Sequence, residues 1–83
     1  MAYEIKRDNI IGVARETNAV LRHHKFNHGE VVLGLSELIG HIVADVANNR
    51  IQADELIDLA VGHIRGTVQK VAEVEGKPLI AEG

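Results

Sequence analysis

The sequence predicts an all-α fold, a three-helix antiparallel bundle that homodimerisation completes into a larger one. Two observations carry the prediction. The first is periodicity: aliphatic residues recur every three or four positions along three stretches, about 9–24, 28–48 and 53–75, and no strand assignment competes with them. The second is size. A chain of 83 residues buries only about 60% of the surface its unfolded form exposes. It has no cysteine for disulfides or thiolate zinc sites, and its aromatic share of 2% is Tyr3 and Phe26. The core is therefore built from Val, Ile, Leu and Ala, and a second copy is the available source of further buried area. The three helices and a tail over 76–83 make one domain, 1–83.

In the first helix, Ile10, Ala14, Thr17 and Leu21 follow a 4-3-4 spacing with Val13 and Val20 beside them, so one face is apolar. Asp8 or Asn9 is placed to accept from the free amides of the first turn, and the basic stretch 22–25 puts positive charge near the C-terminal end of the helix dipole. Asn18 breaks the pattern beside Ile11 and Arg22. It reads either as an exposed residue or as a buried asparagine that fixes register between associating helices.

The stretch RHHKFNH, residues 22–28, gathers three of the five histidines and the one phenylalanine. A metal site, a pH-sensitive surface and a simple connection between helices all compete for it. Capping chemistry favours the connection, because Asn27-His28-Gly29-Glu30 has the spacing of a capping box with Asn in place of Ser or Thr. His24 and His28 then stand on different elements despite their spacing of four.

The second helix carries the clearest signal. Val31, Val32, Leu35, Leu38, Ile39, Ile42, Val43 and Val46 project within an arc of roughly 140°, wider than one partner helix covers. Of these, Val31, Leu35, Leu38, Ile42 and Val46 are expected in the core. Asn48-Asn49-Arg50 follows as a turn. The third helix is expected to begin after a cap at Gln52, with Ile51 and Leu56 at hydrophobic-staple spacing and Asp54 and Glu55 complementing the dipole. Ile57, Val61, Ile64, Val68 and Val71 form its stripe. Gly76 closes its last turn, Pro78 prevents extension, and Leu79 and Ile80 are free to lie on the bundle or on a neighbour.

Charge bears on partners. Residues 1–26 carry five basic and three acidic side chains, a balance of +2, whereas 27–83 carry four basic and nine acidic, a balance of −5. Opposite signs suit docking between parts of the protein better than nucleic-acid binding, which wants a concentrated basic face. A dimeric nucleic-acid-binding regulator nevertheless stands as an alternative, with Arg15, Arg22 and Lys25, supported by Lys6 and Arg7, as its contacts. MAYEIKRDN lacks an apolar run and no stretch approaches about 20 uninterrupted apolar residues, so neither a signal peptide nor a membrane span is expected. The expected location is cytoplasmic.

Candidate chemistry is sparse. His41 and Asp45 are four apart on the second helix and His63 stands on the third, so a histidine-based metal site is a further alternative, without the spacing of any specific signature. A calcium-loop alignment over the second turn puts Ala44 and Val46 where carboxylates are needed and is excluded. Ser36, the only serine, falls inside a helix, where its hydroxyl bonds back to a preceding carbonyl. No catalytic, cofactor or metal residue is therefore assigned. The glycines are less ordinary: Gly12, Gly34, Gly40, Gly62 and Gly66 stand inside predicted helices, where each costs about 0.8–1 kcal/mol relative to alanine. Leu59, Gly62 and Gly66 form a strip opposite the apolar stripe where another helix can approach closely. The expectation is a non-catalytic cytosolic protein that self-associates, as a dimer by preference, and presents a helical surface to a protein partner as a regulator or assembly component.

Overall fold

The computed structural model describes residues 3–76, and its elements are α1 (Arg7–Leu21), α2 (His28–Val46) and α3 (Arg50–Glu75). Helix accounts for 81% of the described residues, with no strand among them. Pro78, Leu79 and Ile80 lie outside the described residues. The chain divides into two units, Met1–His41 with α1 and most of α2, and Ile42–Gly83 with the end of α2 and α3.

In the first unit, α1 starts earlier than its periodicity suggests. Lys6 takes the capping position in extended conformation and offers no side-chain cap bond, while its carbonyl accepts from the N–H groups of Asn9 (3.0 Å) and Ile10 (3.2 Å). The expected cap at Asp8 or Asn9 is thus corrected. Both lie inside the first turn, where exposed amides are satisfied by water and Asp8 still complements the dipole. The helix ends at Leu21, and the N–H groups of His23 and His24 donate to the carbonyls of Val20 and Leu21, both at 3.1 Å. These three-residue bonds tighten the chain into a turn, so the basic residues 22–25 follow the last helical turn instead of occupying it. Ile10, Thr17 and Leu21 are half-buried, whereas Ala14, Val13 and Val20 are exposed.

The start of α2 matches its expected capping box. Asn27 Oδ1 accepts from the Glu30 N–H at 2.8 Å, and Glu30 Oε1 accepts from the Asn27 N–H at 2.9 Å. A cap of this kind contributes about 1 kcal/mol. Residues 22–27 are therefore the connection between two helices.

In the second unit the expected cap moves by three residues. Asn49, extended at φ −157° and ψ 175°, caps α3 by accepting from the Gln52 N–H at 2.9 Å. Gln52 Oε1 in turn accepts from the Asn48 N–H at 2.8 Å, which diverts that amide from the α2 ladder and ends α2 at Val46 instead of residue 48. With the helix starting at Arg50, Ile51 and Leu56 no longer occupy staple positions, and Asp54 and Glu55 fall beyond the first turn. Arg50 stands at that turn, against the dipole, with Asp54 3.9 Å away one turn on. At the far end Gly76 adopts the left-handed conformation, φ 68°, and its N–H is shared by the carbonyls of Ala72 and Glu73.

Burial is thin. Among the described residues only Val43 and Ala72 are buried, each 7% exposed. Of the five α2 residues expected in the core, Val31 is half-buried and Leu35 sits at the margin, while Leu38, Ile42 and Val46 are exposed. The physical reason is the width of the arc, which needs more than one neighbour and finds cover on part of its span.

Candidate interaction surface

The apolar stripe of α3 is exposed along its length. Ile57, Val61, Ile64, Val68 and Val71 are each between 41% and 52% exposed, and from Val61 to Val71 no residue is even half-buried. The half-buried residues of α3 cluster at its start, Gln52, Ala53, Leu56 and Ala60. The sequence identified this stripe and expected it inside a bundle. It stands open to water as a row of partly exposed aliphatic side chains.

Leu59, Gly62 and Gly66 are exposed on the other side of α3. A Cβ built on either glycine meets no atom within 4 Å, and the same holds at Gly12, Gly34 and Gly40. The helix-interior glycines are therefore not demanded by packing inside the chain.

Arg15 on α1, Arg22 at its C-cap and Lys25 in the connection are all exposed, with no ion pair to any of them among the described residues. Arg15 and Arg22, seven residues apart, share one side of the helical path. The ion pairs of Lys6 with Glu4 and of Arg50 with Asp54, each 3.9 Å, are solvent-exposed and contribute little.

The histidines divide by element. His24 stacks its ring on Phe26, centroids 5.2 Å apart and planes inclined by 21°, a contact that sequence reasoning missed although the two aromatic rings are only two residues apart. His41, Asp45 and His63 are exposed, and no group of three or more His, Asp or Glu among the described residues is arranged to hold a metal ion. Ser36 Oγ donates to the Val32 carbonyl at 2.8 Å, the back-bond expected of a mid-helix serine. No helix among the described residues is long and apolar enough to cross a membrane. Compared with protein-family models, curated proteins and solved structures, the chain matches none.

Proposed function

We propose that this chain is a non-catalytic, cytosolic protein that pairs with a second copy into a larger antiparallel bundle and presents a helical surface to a protein partner, as a regulator or assembly component. One observation carries the reading: the surface left to water. On α3 alone Ile57, Val61, Ile64, Val68 and Val71 are each between 41% and 52% exposed. Burying aliphatic side chains of this kind gains roughly 25 cal/mol per Å² of apolar surface removed from water. A second copy supplies that burial without any new kind of chemistry. The lack of cysteine agrees with a reducing compartment.

Solution mass across a dilution series tests the reading. A dimer persisting into the micromolar range is expected, and a stably folded monomer at every concentration overturns it. Leu59, Gly62 and Gly66 are proposed as the strip where a further helix of the bundle approaches. Gly62→Leu then weakens association at least tenfold, and an unchanged dissociation constant removes the strip while the dimer stands.

The exposed, unpaired Arg15, Arg22 and Lys25 favour a second reading, a dimeric nucleic-acid-binding regulator with a doubled basic patch. Binding to random duplex DNA that falls steeply with salt supports it, and no binding at low salt removes it. Nothing among the described residues favours the histidine–metal alternative.

A further inference from the structure

We infer that the stripe of α3 is the seam of the homodimer, and that the two copies of α3 run antiparallel along it with Asp58 of each facing Arg65 of the other. The inference deepens the homodimer reading and rests on it. Its first support is spacing. Ile57, Val61, Ile64, Val68 and Val71 are separated by 4-3-4-3 residues, the alternation that keeps a row facing a partner helix in a coiled coil. Val61 and Val68 fill one class of core position, and Ile57, Ile64 and Val71 fill the other. The row is about 22 Å long at 1.5 Å per residue and open over its whole length. On α2 the row itself is interrupted by the buried Val43 and the half-buried Val31, whereas on α3 it is the flanking Ala72 and Ala60 that are buried and half-buried while the row stays exposed.

The second support is charge, which decides direction. Positions flanking the seam on one side are Asp58, Arg65 and Ala72, and on the other side Ala60, Thr67 and Val74. In a parallel pair each flank meets the opposite flank, so Asp58 and Arg65 face uncharged residues. An antiparallel pair brings like flank to like flank. Setting Val61 opposite Ile64 of the second copy, and Ile57 opposite Val68, places Asp58 beside Arg65 of the second copy, twice by symmetry. A slip of one heptad either way sets Arg65 against Arg65 or Asp58 against Asp58. Both residues are exposed, and neither has an ion pair among the described residues, so each is available. The charges thus select both direction and register, while Ile57, Val61, Ile64 and Val68 supply the affinity and Val71, opposite Asp54 of the second copy, marks the end of the seam.

Charge exchange tests this on the full chain by sedimentation equilibrium. Asp58→Arg and Arg65→Asp, each alone, turn two attractions into two repulsions and are expected to raise the dissociation constant about tenfold. The double variant Asp58→Arg/Arg65→Asp restores it, and so does an equimolar mixture of the two single variants, because each chain then meets its complement. Circular dichroism on the same samples reports helix content, and recovery on mixing decides the matter even if a single variant loses helix. Single variants that dimerise like the parent, or a double variant or mixture that fails to recover, overturn the seam and leave the homodimer intact. A parent chain that is monomeric at every concentration, with its stripe covered by its own α1, overturns both. A parent that stays monomeric and binds only a foreign helix does so too.

Discussion

α2 and α3 carry apolar stripes of the same aliphatic make-up, yet the chain uses them differently. α2 buries Val43 and half-buries Val31, leaving Leu38, Ile42 and Val46 exposed, whereas α3 leaves its stripe open from Ile57 to Val71. Periodicity therefore marks which side of a helix seeks burial without naming what provides it. Where some of that burial comes from within the chain, the stripe contributes to folding. Where none does, association is the role we propose for it.

The largest expected effect tests this contrast directly. Ile64→Asp puts a charge in the middle of the α3 stripe of both copies, removing burial worth about 1.5–3 kcal/mol per side chain, and should raise the dissociation constant at least a hundredfold in sedimentation experiments. Leu38→Asp on α2 should have a much smaller effect, and equal losses would erase the distinction between the helices. Next in size, Val43→Ala removes two methyl groups from a buried site and should lower the unfolding free energy by about 2 kcal/mol in denaturant titrations. At low protein concentration the same change at the exposed Val71 should cost well under half of that.

Smaller effects sharpen the contrast at the helix junctions. Asn27→Ala and Asn49→Ala each delete a side-chain cap and should each cost about 1 kcal/mol in the same titrations, irrespective of protein concentration. A concentration-dependent loss would mean that a junction takes part in association. Smallest is Gly62→Ala. Its added methyl has open space within the chain, so thermal unfolding should show a gain of roughly 0.8–1 kcal/mol from helix propensity. Where the dimer forms, the proposed strip predicts a small loss of affinity beside that gain, and an unchanged dissociation constant would show that no helix reaches it.

Legibility in the sequence followed the range of the interaction. The box from Asn27 to Glu30 was readable because both bonds close within three residues, and so was the Ser36 back-bond within four. The start of α3 was misplaced because Asn48, Asn49 and Gln52 all carry capping groups. Their division of labour, Asn49 accepting while Gln52 reaches back to Asn48, is set by backbone geometry at the turn. The stripe of α3 was legible residue by residue, but its exposure was not. Leu38, Ile42 and Val46 show the same limit on α2, since nothing in their spacing distinguishes them from the buried Val43.

By itself the sequence determined the three helices, the glycine that closes α3, the capping box of α2 and the faces that shun water, because propensity, caps and periodicity act within about two turns of the chain. Only the tertiary structure decided which of those faces find cover in the chain and which stay exposed. That outcome depends on contacts between residues far apart in the sequence, and local pattern carries no record of them.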